Sequence, residues 1–76
     1  MDNKQIAETI KFLCKSKNIT VSFLLAKCEI TKSFIYDLEK RNTSPSVDKI
    51  SKIADYLDCS VDYLLGRTDN PESHKN

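Results

Sequence analysis

Residues 21–40 read VSFLLAKCEITKSFIYDLEK, and this stretch decides the fold. It predicts two helices of about two turns each, over 21–28 and 32–40, with Thr20 and Thr31 as their N-caps. Helices this short bury little when they lie parallel, so the short turn between them should set them at a steep angle, as in a helix-turn-helix. The positions that must then be apolar are Leu24, Cys28, Ile30, Ile35 and Leu38.

Three further helices are predicted around this pair. The first covers 4–17, begins at a cap on Asp2 or Asn3, and ends at Asn18, which tolerates a left-handed backbone. Its apolar stripe consists of Ile6, Ile10, Leu13 and Cys14.

The fourth helix is predicted over 47–57 after the cap Ser46, and the fifth is short, between the cap Ser60 and the stop Gly66. Their inward residues are Val47, Ile50, Ile53, Ala54 and Leu57 in the fourth, and Val61, Leu64 and Leu65 in the fifth. No convincing strand pattern occurs, so the fold class is all-α, a five-helix bundle with short connections.

Composition limits the class of protein. A chain of 76 residues is one domain, here a bundle over 1–68 and a flexible polar tail over 69–76. One glycine and two prolines argue against a turn-rich β-sandwich and against a low-complexity chain. The longest apolar run, 23–26, is four residues, which excludes a membrane span, and the first residues lack the pattern of a secretory signal.

The sequence shows no arrangement of residues typical of a catalytic or metal site. Cys14, Cys28 and Cys59 are three in number and not closely paired, so we expect buried, reduced thiols and a cytoplasmic protein. The single His74 lies in the polar tail, and no glycine-rich phosphate loop exists. We therefore expect no enzyme activity, no catalytic residue, no metal, no cofactor and no small-molecule substrate.

Charge is unevenly distributed although the net charge is only +1. Residues 1–32 carry six lysines against three acidic residues, whereas residues 33–76 carry six basic against eight acidic residues. Such asymmetry is compatible with one basic face on a nearly neutral domain, as binding to nucleic acid requires.

Over about residues 5–68 the chain resembles the Cro/repressor-type (XRE-like) helix-turn-helix transcriptional regulators, among them phage and mobile-element repressors. Besides the five apolar motif positions, the matching pieces are Ile10-x-x-Leu13, Ile19-Thr20, Thr31, Leu38-Glu39, Ser44-Pro45-Ser46, Ile50-x-x-Ile53-Ala54-x-x-Leu57 and the run from Ser60 to Gly66. The resemblance implies a lambda-repressor-like DNA-binding domain that binds operators as a dimer, with its third helix in the major groove.

Several positions depart from the family pattern. The family prefers a small residue where Leu25 stands and glycine where Glu29 and Arg41 stand. A non-glycine residue at positive φ costs about 1 kcal/mol, so either this cost is present or the turns differ. The family also commonly has an arginine at Cys14 that pairs with Glu39, so Glu39 here needs another partner or more solvent.

The outward face of the third helix is expected to meet base edges. Lys32 can donate to guanine, and Asp37 can accept from cytosine N4 unless it is simply a solvated charge. Phe34 either contacts a thymine methyl or lies at the rim of the core. The predicted base contacts are Thr31, Lys32, Ser33, Phe34, Tyr36 and Asp37.

Phosphate contacts are expected from the start of the second helix and from the cationic, acid-free run after the third, although that run could instead be a solvated loop. The candidates are Thr20, Ser22, Lys40, Arg41, Asn42, Thr43 and Ser44. Lys15, Lys17 and Lys27 are interpreted as plain surface lysines, while Lys49 and Lys52 belong to a solvated face away from DNA.

The expected function is a sequence-specific double-stranded DNA-binding repressor, associated with the nucleoid of a bacterial cytoplasm. One small domain covers too little DNA, so we expect a homodimer on a palindromic operator. By resemblance the dimer interface lies at Tyr56, Leu57, Val61 and Leu64. The chain is either a standalone regulator or a domain of a longer one.

The alternative is a protein-interaction module on the same scaffold, such as an antitoxin or the partner of an antirepressor. Phe12, Phe23 and Phe34 lie off the main apolar stripes, and exposed aromatic residues often mark partner surfaces.

Overall fold

A computed structural model describes residues 2–69 and contains five α-helices in this part of the chain. They are α1 (Asn3–Ser16), α2 (Val21–Lys27), α3 (Phe34–Lys40), α4 (Val47–Leu57) and α5 (Val61–Leu64). No strand occurs among the described residues, so the predicted all-α five-helix fold is confirmed. Apart from Asp69, the predicted flexible tail lies outside the described residues.

Four helices begin at side-chain caps that the sequence predicted. Asp2 accepts hydrogen bonds from the first turn of α1, while Thr20, Ser46 and Ser60 each accept one from the backbone N–H three residues later. Each cap satisfies a backbone donor that the first helical turn leaves without a partner.

The start of α3 is different, and the prediction of Thr31 as its cap was wrong. Residues 31–33 form a turn in which the Phe34 N–H donates to the Thr31 carbonyl, and the helix begins only at Phe34. The Thr31 hydroxyl lies 3.3 Å from the Ser33 hydroxyl and caps no helical N–H. The third helix is therefore two residues shorter than predicted.

The turn between α2 and α3 carries the expected strain at Glu29. Glu29 adopts a left-handed backbone with φ 58°, and the next residue, Ile30, donates its N–H back to the Leu25 carbonyl at 2.9 Å. The end of α1 has the same arrangement, since Asn18 has φ 61° and the Ile19 N–H donates back to the Cys14 carbonyl. At Arg41, the other position where the family prefers glycine, the turn differs. Arg41 itself has φ −100°, and the positive φ falls on the next residue, Asn42.

The core contains most residues of the predicted apolar stripes and three residues that the sequence did not place there, Ala7, Leu25 and Phe34. Val61 in α5 and Leu65, the residue after this helix, were predicted to face inward but are only partly buried against this core. All three cysteines are buried and reduced, and this burial raises the pKa of each thiol. They act as small apolar side chains, as predicted.

Val47 was predicted to face inward but is 78% exposed. As the first residue of α4 it extends beyond the part of the helix that the core covers, and the buried face begins one turn later at Ile50. None of the described helices is long and apolar enough to cross a membrane.

Candidate nucleic-acid interface

Helix α3 separates an apolar face from a polar one. Phe34, Ile35 and Leu38 are buried, whereas Lys32 and Ser33 in the preceding turn and Tyr36 and Lys40 in the helix are exposed. Tyr36 is 56% exposed, although it is a large aromatic residue. The polar face is thus free to meet another molecule, as the account of the base contacts requires.

Phe34 must be removed from the predicted base contacts. Its side chain is only 5% exposed, and the ring lies in the core beneath the Lys49 ammonium. Because α3 begins at Phe34, the inward positions of its first turn are Phe34 and Ile35 rather than Ile35 alone. Of the two interpretations of Phe34, the one that placed it at the rim of the core is nearer to its observed position.

Asp37 is tied to its own helix. It accepts a hydrogen bond from the Ser33 hydroxyl at 3.4 Å, and its other carboxylate oxygen lies 3.9 Å from Arg41 Nε. These contacts partly neutralise a charge that would otherwise repel a nearby phosphate. They also orient Ser33 and Arg41, two other predicted contacts, relative to the helix.

The polar loop after α3 is anchored at two points. The buried Asn3 amide donates to Asn42 Oδ1 at 3.1 Å, which joins this loop to the start of α1. The Thr43 N–H donates to the Asp37 carbonyl at 3.1 Å. The side chains of Lys40, Arg41, Thr43 and Ser44 are exposed, and so are those of Thr20 and Ser22 at the start of α2.

Glu39 has a partner that the sequence did not identify. Lys11 Nζ on α1 lies 2.6 Å from Glu39 Oε2, so a lysine on the neighbouring turn replaces the arginine that the family places at position 14. The Lys11 hydrogen bond lowers the pKa of Glu39, and the same bond raises the pKa of Lys11. Positions 11 and 14 are three residues apart and therefore neighbours on the helix surface, and this spacing could have identified Lys11 as the partner of Glu39.

No three His, Cys, Asp or Glu side chains among residues 2–69 come together as a metal site would require. The described side chains that are brought together on the α3 side are hydroxyls, amides and cations, groups that hydrogen-bond to phosphates and base edges, together with the Asp37 carboxylate.

Comparison with known proteins agrees with this geometry. A family model described as helix-turn-helix matches residues 10–64. An uncharacterised HTH-type transcriptional regulator, YobD, of Bacillus subtilis (strain 168) is 35% identical over 65 residues, which cover 86% of this chain and 58% of that protein. The HTH-type transcriptional regulator SinR of Bacillus licheniformis is 34% identical over 68 residues, which cover 88% of this chain and 61% of that protein.

The chain therefore spans about three-fifths of the length of these two relatives. No solved structure gives a significant match.

The link between Lys11 and Glu39 should make stability depend on pH in a defined way. In the folded protein the pKa of Glu39 lies below its ordinary 4.5. The contribution of Glu39 to the free energy of unfolding is therefore present above pH 4.5 and is lost as the pH falls through the folded pKa. Because the folded pKa of Lys11 lies above 10.5, its contribution is present below pH 10.5 and is lost at higher pH. Glu39→Gln should remove the acid-side dependence and weaken the alkaline one, since Glu8, 3.7 Å from the Lys11 ammonium, also raises the pKa of Lys11 and remains.

Chemical denaturation across the pH range measures this effect as the difference in unfolding free energy between the parent and Glu39→Gln. The difference should be constant near neutrality and shrink on the acid side. Asp48→Asn is the control, since it breaks the exposed Lys52–Asp48 pair and leaves α1 and α3 connected. A Glu39→Gln curve that runs parallel to the parent down to strongly acid pH would contradict the prediction.

Proposed function

The chain belongs to the Cro/repressor-type (XRE) helix-turn-helix family of DNA-binding transcriptional regulators, and from this premise we propose that it is a sequence-specific repressor. In this proposal α3 enters the major groove, and two copies bind a palindromic operator in the bacterial cytoplasm, on the nucleoid. The observation that carries the proposal is the division of α3 into a buried apolar face and an exposed polar face, followed at once by a cationic loop.

The base contacts in this proposal come from the turn before α3 and from its first exposed turn. Lys32 donates to guanine O6 and N7, Ser33 and Thr31 act as adaptable donors and acceptors, and Tyr36 lies one turn further on. Asp37 accepts from cytosine N4 through whichever oxygen lone pairs Ser33 and Arg41 leave available. Phe34 takes no part because it is buried.

The phosphate contacts fix the position of the domain on the duplex. One group lies at the start of α2 and the other at the end of α3 and in the anchored loop after it, so along the chain the groups come before and after the proposed base contacts. The residues are Thr20 and Ser22 in the first group and Lys40, Arg41, Asn42, Thr43 and Ser44 in the second. The contact between Asn42 and Asn3 gives that loop a fixed shape before DNA arrives.

We propose a homodimer interface smaller than the one that the family resemblance implied. Leu57 and Leu64 are each 1% exposed within one copy, so they are core residues with no surface left for a partner. Tyr56 is 41% exposed, and Val61 is half-buried. Phe23 on α2 extends this surface, since its ring meets that of Tyr56 edge to face at 6.4 Å and is itself 44% exposed. We place the interface at Tyr56, Val61 and Phe23.

A protein-interaction module on the same scaffold is the second candidate, because Phe12 is 62% exposed and belongs to neither proposed surface. Phe34 no longer supports this candidate. The two functions differ in salt dependence, since a DNA-binding domain loses affinity steeply as salt displaces it from phosphates.

The central test compares Lys32→Ala with Arg41→Ala on a site selected from random DNA and on mixed-sequence duplex. Lys32→Ala should cost about 1–3 kcal/mol on the selected site alone, because it removes a base contact. Arg41→Ala should weaken binding to both duplexes and make the salt slope shallower by about one unit. Fluorescence anisotropy at several salt concentrations measures both effects.

An equal loss on both duplexes for Lys32→Ala would reassign it to a phosphate, and an unchanged slope for Arg41→Ala would remove that residue from the interface. If the parent protein bound neither duplex at low salt, the interaction module would replace the DNA-binding proposal.

The dimer proposal predicts that Tyr56→Ser weakens self-association and reduces cooperative binding to a two-half-site operator, while binding to one half-site stays at the parent level. Sedimentation equilibrium and half-site titrations measure these quantities. Phe12→Ser is the matched control, since it removes an exposed aromatic residue outside the proposed interface. Unchanged association of Tyr56→Ser, or an equal loss with Phe12→Ser, would count against this interface.

A further inference from the structure

Lys49 has an exposed side chain whose ammonium lies beside α3. The sequence assigned it, with Lys52, to a solvated face away from DNA. In the structure its ammonium stands 5.9 Å from the centroid of the Phe34 ring, and Phe34 is the first residue of α3. A cation over a buried aromatic ring is attracted by the ring's negative face, so this contact holds Lys49 on the α3 side of α4.

Lys49 also shares a cavity with two of the proposed phosphate contacts. A cavity of about 140 Å³ lies between α3, the following loop and the start of α4, and its lining includes Thr43, Ser44 and Lys49. Phe34 forms part of the apolar wall. The hydroxyls of Thr43, Ser44 and Ser46 and the ammonium of Lys49 thus border one opening. Hydroxyls and ammonium groups donate hydrogen bonds to an oxyanion.

The charge on Lys49 is poorly compensated within the part of the chain that the structure describes. Lys49 is the third residue of α4, where the helix dipole disfavours a cation. Lys52, one turn later, pairs with Asp48 at 3.7 Å, whereas Lys49 forms no ion pair with any carboxylate of residues 2–69. An external anion at this position would supply the missing negative charge.

One carboxylate, that of Asp37, lines the same cavity and opposes anion binding. Its two oxygens already face Ser33 and Arg41, at 3.4 and 3.9 Å. Arg41 therefore screens it, and the ammonium of Lys49 adds a second cation on the side of α4.

We propose that Lys49 binds one phosphate of the DNA backbone together with Thr43 and Ser44, and that the Phe34 ring holds its side chain toward that phosphate. This inference rests on the proposed DNA-binding function and adds α4 to the elements that contact the duplex. Lys49 contributes to affinity on every sequence and carries no base preference.

The test is a salt titration of Lys49→Gln against Lys52→Gln, two neutralised lysines one turn apart on the same helix. The probes are a site selected from random DNA and a mixed-sequence duplex, observed by fluorescence anisotropy. Lys49→Gln should weaken binding to both duplexes by the same factor and make the slope of log affinity against log salt shallower by about 0.9. Lys52→Gln should keep the parent's slope, and Lys49→Arg, which retains the charge, should restore it.

Thermal unfolding of each variant first establishes that the fold is intact. A parent slope retained by Lys49→Gln, or a loss equal to that of Lys52→Gln, would overturn the phosphate contact while the DNA-binding function stands. A loss confined to the selected site would also overturn it, because a phosphate contact acts on all sequences. If the parent itself showed no salt-dependent binding, the proposed function and this contact would fail together.

Discussion

A helix of seven residues is not stable alone in water, so α3 depends on the burial of Phe34, Ile35 and Leu38 in the core. Everything proposed for the polar face follows from this constraint. Because three of its seven positions are committed to the core, the others have a fixed direction, and the turn before the helix is held in place with them. A buried aromatic residue at its first position secures the end that is proposed to meet the bases.

Two polar contacts, in addition to this burial, fix the position of α3 and of the following loop relative to α1. The Lys11–Glu39 pair connects the last part of α3 to α1, and the Asn3–Asn42 hydrogen bond connects the next loop to the start of α1. Both α3 and the loop that follows it are therefore positioned against α1. Exposed ion pairs contribute little to stability, so the value of such a pair lies in orientation.

Much of the fold could be predicted because its signals are local. The caps Thr20, Ser46 and Ser60 act on a backbone N–H three residues away, and the apolar stripe of α1 repeats within one helix. The resemblance to the helix-turn-helix family was also confirmed. One error arose at the start of α3, where Thr31 pairs with its near neighbour Ser33, and other features were missed where a contact between distant parts of the chain decides the outcome.

Thr31 was misread because its hydroxyl pairs with Ser33, and this two-residue shift moved Phe34 into the core. For the dimer, the resemblance indicated a region without separating the buried Leu57 and Leu64 from the exposed Tyr56. The partner of Glu39 and the position of Lys49 depend on how α1 and α4 lie against α3, which no local pattern contains.

The most direct test of the whole account is an amide chemical-shift titration of the ¹⁵N-labelled chain with a short DNA duplex. With a duplex that carries a single half-site, so that the proposed dimer surface at Tyr56 is not engaged, we expect the largest shifts on residues 31–44 and on the start of α4. Amides around Glu29 and Asp55, which line a cleft between α2 and α4, should stay in place. Shifts centred on that cleft, with residues 31–44 unaffected, would contradict the account.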